Sequence, residues 1–232
     1  MVNSGAINLQ GGTLLVDGGL TNQGDLVAGG SSNLGGNLHN AASGLVDVAT
    51  GTTTFFDDVV NDGEIRTQPG ALSVFFGSVT GSGSFTESGL AVFEGVVEPG
   101  SSPGTMSLRG DVGLGQGATL VIELAGLQPG AEFDQLLIGG DLFLEGSLSL
   151  QLLHGFQPEW FDAFTIVEVD GTRLGEFAGL SEGAKLSTMG GHLFQISYSG
   201  GDGNDIVLTS VPEPESLALL LLTAISCLKL DV

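Results

Sequence analysis

The chain is poor in basic residues: 5 lysines and arginines stand against 27 aspartates and glutamates, for a net charge of -22 over 232 residues. Binding to a phosphate backbone draws on clustered Lys and Arg, so nucleic acid is excluded as a partner. Cysteine is represented by Cys227 alone, which rules out an internal disulfide and a thiolate metal site and leaves the redox compartment unassigned. The single tryptophan and tyrosine, Trp160 and Tyr198, fall short of a carbohydrate-stacking platform and fit packing equally well. His39, His154 and His192 lie far apart, with no His-x-x-x-His spacing and no glycine-framed serine nearby. No phosphate loop or dinucleotide fingerprint occurs, and no motif calls for a cofactor. The start, Met1-Val2-Asn3-Ser4-Gly5-Ala6-Ile7-Asn8, has neither the basic end nor the apolar core of a signal peptide.

What is abundant is glycine, 40 residues scattered between short apolar runs, a distribution that predicts many tight turns between strands and one folded body. The acidic balance suits a solvated surface, repulsion from anionic headgroups or attraction of divalent cations. Within the glycine pattern lies a repeat. Val2-Asn3-Ser4-Gly5-Ala6-Ile7, Thr21-Asn22-Gln23-Gly24-Asp25-Leu26, Val60-Asn61-Asp62-Gly63-Glu64-Ile65 and Thr80-Gly81-Ser82-Gly83-Ser84-Phe85 share the form x-Asn-x-Gly-x-apolar, with a looser copy at His39-Asn40. The repeated positions 3, 22, 40, 61 and 81 are separated by 19, 18, 21 and 20 residues. A second register, Thr54-Phe55-Phe56, Val74-Phe75-Phe76 and Val92-Phe93-Glu94, keeps the same rhythm.

A unit near twenty residues with two or three short strands matches one coil of a β-solenoid, in which neighbouring coils pair backbones around an apolar column. Stacked at equivalent turns, the recurring Asn side chains can hydrogen-bond along the axis, a structural role. Because the pattern is in phase from residue 2 with no cap ahead of it, further repeats and a signal peptide are expected upstream of Met1.

The spacing breaks at Glu98-Pro99-Gly100-Ser101-Ser102-Pro103-Gly104, where two Pro-Gly turns fall close together. Longer alternating strands follow, at Thr119–Leu124, Gln135–Ile138, 141–144, Ser147–Leu152, 163–167, 193–198 and 205–209, and they read as antiparallel sheet. The expected fold is all-β: a single-stranded right-handed β-solenoid over 1–100, a β-rich antiparallel cap continuing it over 101–210, and a tail over 211–232 with a short apolar helix.

The turn Pro99-Gly100-Ser101-Ser102-Pro103-Gly104, then Phe133-Asp134-Gln135-Leu136 with Gly140-Asp141-Leu142, then Val211-Pro212-Glu213-Pro214 before an apolar run from Leu217 to Leu228, together carry a resemblance. The chain looks like a bacterial PEP-CTERM surface protein whose body is similar to the autotransporter-associated β-strand repeat proteins. That resemblance implies export, recognition of Val211, Pro212, Glu213 and Pro214 by a membrane-embedded exosortase, cleavage near that motif, and release to the cell surface or extracellular polymer, with polysaccharide as a possible partner. Physically, two prolines hold an extended segment that resists helix formation. The apolar run of about twelve residues is shorter than the roughly twenty that span hydrocarbon. Lys229 followed by Asp231 stands where the family has an arginine-rich end, so 217–228 is read as a sorting segment first and as a membrane contact second.

Two enzymatic or ligand readings stand beside this one. Some β-solenoids cleave polysaccharides with paired carboxylates, and the candidates are Asp57 with Asp58 and Glu159 with Asp162. Adjacent strand residues point to opposite faces, which disfavours the first pair. Gly200-Gly201-Asp202-Gly203-Asn204-Asp205 fits one copy of a calcium-binding β-roll repeat, but calcium takes six to eight oxygens and the neighbouring copies are missing, so a turn into the final strand is the plainer reading. The function read from the sequence is an exported, non-enzymatic structural or adhesive protein. The alternatives are a carbohydrate-active solenoid enzyme and a fragment of a larger passenger.

Overall fold

A computed structural model of the chain describes residues 1–188 and 190–212. Among the described residues it is all-β, without a helix, and winds as a β-solenoid. Three short strands per coil build three faces. The first face is an eight-stranded parallel sheet running from β1 (Val2–Asn3) through Leu20–Asn22, Leu38–Asn40, Val59–Asn61, Val79–Thr80, Val96–Val97 and Thr119–Leu124 to Ser147–Leu152. The second begins with residues 6–10 of β2 (Ala6–Leu15) and continues through 25–29, Leu45–Val48, Glu64–Thr67, Ser84–Thr86, Thr105–Leu108, Gln135–Ile138 and 167–169. The third takes residues 12–15 of β2, then 31–35, Thr52–Phe55, Leu72–Phe75, Leu90–Phe93, Asp111–Leu114, Leu142–Leu144 and Arg173–Gly175.

The strands follow from period-two patterning: in Leu45–Val48, Thr52–Phe55, Leu72–Phe75 and Leu90–Phe93, buried and half-buried residues alternate. Because equivalent residues lie one above another, like stacks on like. Phe55 and Phe75 lie with ring centroids 4.6 Å apart and planes within 10°, and Phe75 and Phe93 5.1 Å apart within 14°. Phe85 meets Phe75 edge-on at 6.0 Å, so the column is locked by the two geometries aromatic pairs favour.

The asparagines stack in the same way, since β pairing places Asn3 beside Asn22, Asn22 beside Asn40, and Asn40 beside Asn61. Each side-chain amide donates one hydrogen to the next side-chain carbonyl along the axis, at 2.7, 2.9 and 2.8 Å. The other hydrogen goes to a main-chain carbonyl at the corner of the following coil: Asp25, Leu45 and Glu64 for the first three, and Ser84 for Asn61. The side chains of Asn22 and Asn40 are fully buried, so these bonds replace water entirely. Two residues on, the repeated glycine has its own steric reason. A Cβ on Gly63 would sit 2.3 Å from the carbonyl oxygen of Gly44, and one on Gly83 2.3 Å from that of Gly63.

The antiparallel sheet expected from residue 119 onward is corrected. Thr119–Leu124, Gln135–Ile138, Leu142–Leu144 and Ser147–Leu152 all pair parallel and carry the solenoid on. The coils lengthen because residues 98–104, 125–134 and 153–162 are inserted at one corner, between the first and second faces, while strand register is kept. Alternating hydrophobicity is the same in parallel and antiparallel strands; direction lies in the connections. Among the described residues, antiparallel strand pairing joins Ala163–Val169 with Asp205–Val211, and Leu193–Gly200 with Asp205–Val211 and with Lys185–Ser187, beside isolated antiparallel bridges at Gly81–Gly100 and Leu124–Phe133. The apolar helix expected within 217–228 lies outside the described residues.

Replacing Asn40 with Ala strands the Asn22 amide, the Asn61 carbonyl and the Glu64 main-chain carbonyl in a dry corner. Asn40→Ala is expected to lower unfolding free energy by about 3 kcal/mol in urea titration. Asn37→Ala, at an exposed position, is expected to change it by less than about 0.5 kcal/mol.

Candidate functional site

The inserted corner loops border one of the concavities of the surface. Where 98–104 and 125–134 leave the first face, they border a cleft of about 410 Å³ whose wall carries four carboxylates, Asp62, Glu98, Glu123 and Asp134, together with Ser102 and Val60. Asp134 is almost fully buried, and both of its oxygens accept from the main chain: Gly104 N–H at 2.7 Å and Glu123 N–H at 2.9 Å. Burial pushes its pKa up to about 6, the two main-chain bonds oppose the shift, and the charges of Glu123 and Glu98 add to it. The Ser102 hydroxyl donates to Glu123 Oε2, tying the Pro-Gly loop to the strand below. At the cleft's other side His39 Nε2 lies 3.1 Å from Asp62 Oδ2, and Ser82 N–H donates to Asp62 Oδ1 at 3.3 Å. Burial pushes Asp62 up, but its bonds from His39 and Ser82 together outweigh that and hold it below the usual carboxylate value. Glu64 is held low by hydrogen bonds from Arg66 and Thr86.

Two carboxylates with divergent pKa values in one cleft form the raw material of acid–base hydrolysis. A general acid, however, has to present its proton to the substrate. Asp134 turns both oxygens to backbone donors, an arrangement that braces the Pro-Gly loop against the strand Thr119–Leu124.

The residues singled out by sequence are distributed as follows. Asp57 Oδ2 accepts from Gly36 N–H at 2.7 Å in the preceding coil, and Asp58 Oδ1 from Ser78 N–H at 2.9 Å in the following one, so the two act in opposite directions along the axis. Glu159 and Asp162 are brought together, but as a turn: Glu159 N–H donates to Asp162 Oδ2 at 2.8 Å. His154 is exposed at a positive φ of 53°, and His192 Nε2 sits 2.8 Å from Ser210 Oγ, remote from His39 in the fold. Trp160 is half exposed on the loop 153–162. Tyr198 is buried; its hydroxyl accepts from Phe177 N–H and donates to Leu180 O, and burial pushes its pKa up to about 12. Gly200-Gly201-Asp202-Gly203 forms the turn between the last two strands. Asp205 Oδ1 there accepts from Val169 N–H at 2.9 Å, and Asn204 Nδ2 donates to Val169 O at 2.8 Å. Among the described residues no group of three or more His, Cys, Asp or Glu side chains is placed to hold a metal ion. Val211 ends the final strand, paired with Leu193, and Pro212 follows it; Glu213, Pro214 and 217–228 lie outside the described residues. No helix among the described residues is long and apolar enough to cross a membrane.

Sequence reasoning did not single out Asp62, Glu98 and Glu123, and noticed Asp134 only within a motif. Asp62, Glu98 and Glu123 are each more than twenty residues apart in sequence and meet only through the coil register, while Asp134 lies in the inserted loop that follows Glu123. The repeat itself held the signal for Asp62, which directly follows the last Asn of the ladder. Compared with known proteins, the chain matches no family model and no curated sequence.

The raised pKa of Asp134 has a definite sign in stability. Its folded value lies above the unfolded one, so the fold gains stability as pH falls through about 6 and loses it as pH rises. Asp62 and Glu64, with depressed values, contribute stability that is present above their unfolded values and lost as pH falls below about 4. Urea midpoints measured at pH 7 and pH 5 are therefore expected to rise on acidification by the equivalent of about 1 kcal/mol in the wild type. In Asp134→Asn that rise is expected to be absent.

Proposed function

We propose that the chain is an exported, non-enzymatic structural or adhesive protein of the cell surface or extracellular matrix, built as an acidic β-solenoid rod and carrying a C-terminal sorting signal. The observation that carries the structural part is the use made of the polar side chains. The buried asparagines and the turn carboxylates Asp57, Asp58 and Asp134 are committed to bonds that hold one part of the coil stack to another. The sorting part rests on resemblance to PEP-CTERM surface proteins. Val211, Pro212, Glu213 and Pro214 match the motif read by an exosortase-type enzyme in the membrane, and the apolar run 217–228 supplies the transient membrane contact. The motif begins at Val211, the last residue of the final strand. In the same reading the solenoid is right-handed, the three antiparallel strands close its C-terminal end, and extracellular polysaccharide is the partner of the acidic rod.

A carbohydrate-active enzyme is the second reading, favoured by one observation: four carboxylates line the cleft beside the Pro-Gly loop.

Expressed with a secretion leader in a bacterium that has an exosortase, the chain is expected to reach the cell surface with its tail removed. Replacement of Pro212, Glu213 and Pro214 by alanine is expected to leave it uncleaved in the membrane fraction. Equal surface display of both forms would contradict the sorting role. Incubation with a panel of acidic and neutral polysaccharides is expected to release no more reducing ends from the wild type than from a Glu123→Gln, Asp134→Asn double variant. A difference between the two would establish the enzymatic reading instead.

A further inference from the structure

The third face of the solenoid differs from the other two in what it turns outward. Its strands at 12–15, 31–35, Thr52–Phe55, Leu72–Phe75 and Leu90–Phe93 contain no charged residue, in a chain of net charge -22. The inward places of the central strands are taken by Phe55, Phe75 and Phe93, so the outward ones fall to Leu72, Val74, Leu90 and Val92, which are only half-buried. Just past the strand ends, Phe56 and Phe76 are 51% and 50% exposed, with ring centroids 5.9 Å apart and planes within 7°. The column begun by Val74 and Val92 runs on through Gly113 to Phe143 and Leu174, both exposed. By contrast, the second face turns Asp25, Asp47, Glu64 and Arg66 outward, and the first sets Thr21, His39 and Thr80 around Val60.

A contiguous apolar strip on an exposed sheet marks a contact surface. Its occupant has to be flat, and it must bring no carboxylate against the carboxylates that border the later strands. Glu94 follows the strand Leu90–Phe93, and Asp111 opens the next one. Both are turned along the solenoid axis, Glu94 Oε2 accepting from Gly117 N–H at 3.1 Å and Asp111 Oδ1 from Asp141 N–H at 2.9 Å. A second copy laid antiparallel on the first meets these terms, because the uncharged early coils of one then cover the acidic later coils of the other. Size decides how firmly it holds. Strands about 4.8 Å apart and about 13 Å long give the whole face roughly 500 Å² on each copy, about 1,000 Å² for the pair, at the lower limit of specific contacts. The dimer is therefore reversible.

We propose that the third face is a dimer contact, two copies stacking this sheet face to face about a two-fold axis that passes between the strands Leu72–Phe75 and Leu90–Phe93. Packed sheets lie about 10 Å apart with their side chains interdigitated. In this register Val74 of each copy opposes Val92 of the other, and Phe76 opposes Leu90. Asp111 falls opposite Phe56 and Glu94 opposite Leu72, so no carboxylate meets another. An isologous contact of this kind closes on itself and leaves the first and second faces, with the carboxylate-lined cleft, open to solvent. The contact is centred on the middle of the chain and is independent of the sorting role of the tail.

The test is sedimentation equilibrium of the full chain between about 1 and 100 micromolar. A monomer–dimer equilibrium is expected, and it is expected to tighten as salt screens the repulsion between two copies of charge -22. Val74→Glu and Val92→Lys, each alone, are expected to raise the dimer Kd roughly tenfold or more, since each sets a charge against an apolar side chain of the other copy. Mixing the two variants is expected to restore a dimer containing one of each, a rescue that a folding defect would not give. Mixing Val74→Glu with Val74→Lys is expected to restore much less, because those two positions do not face each other. In the unaltered chain, the ring resonances of Phe56 and Phe76 are expected to shift with concentration, while those of Phe161, exposed on the loop 153–162, stay fixed. A monomer throughout the range, a dimer indifferent to Val74→Glu, or equal rescue by Val74→Lys and Val92→Lys would each overturn the proposal. So would a monomer whose Phe56 and Phe76 resonances respond instead to a neutral polysaccharide, which would give the face to a polymer.

Discussion

Every other feature of this molecule depends on one constraint: each coil lies directly on the last, about 4.8 Å away, so each side chain has its own equivalent for a neighbour. A position that is apolar in one coil must be apolar in the next, and a buried polar position must find its partner in its own copy. Asparagine solves the second problem, because one amide offers both a donor and an acceptor along the axis and a second donor across it. Phenylalanine solves the first in the column Phe55, Phe75 and Phe93. Where the ladder ends, at Gly81, the corner changes character: Gly81 N–H donates to Gly100 O of the inserted loop, and the later coils carry their long corners from that point.

The same constraint gives part of the acidity a structural meaning. Turns expose main-chain N–H groups that no strand satisfies, and carboxylates from the adjoining coil reach them. Glu94 accepts from Gly117, Asp111 from Asp141, and Asp141 from Thr172, each one coil further along, as Asp58 and Asp62 do in the earlier coils. A chain with few basic residues is in this way well bonded internally.

Much of this was legible in the sequence, for reasons that lie in particular residues. The positions Asn3, Asn22, Asn40 and Asn61 announced both the coil length and the ladder, since a stacked fold writes its register directly into spacing. The direction of the later strands was not legible: Thr119–Leu124 and Ser147–Leu152 alternate as strands of either direction do, and the Pro-Gly turns that interrupted the count proved to be corner insertions within a continuing stack. The cleft was hidden for a different reason. Asp62, Glu98 and the pair Glu123 and Asp134 come from three different coils, and only the register of the first face, together with the fold of two inserted loops, brings them to one wall. Asp57 and Asp58 illustrate the converse, since adjacency in sequence sends them to opposite neighbours.

If the buried asparagine column is the element that holds the coils in register, its amide protons are shielded as deeply as the strands around them. Side-chain amide exchange followed by NMR measures this directly. The account predicts that the Nδ2 protons of Asn22 and Asn40 exchange as slowly as the main-chain amides of the central strands, with cross-peaks between the two side chains, while those of exposed Asn37 exchange at the rate of a free amide. Fast exchange at Asn22 and Asn40, at the rate shown by Asn37, would contradict it.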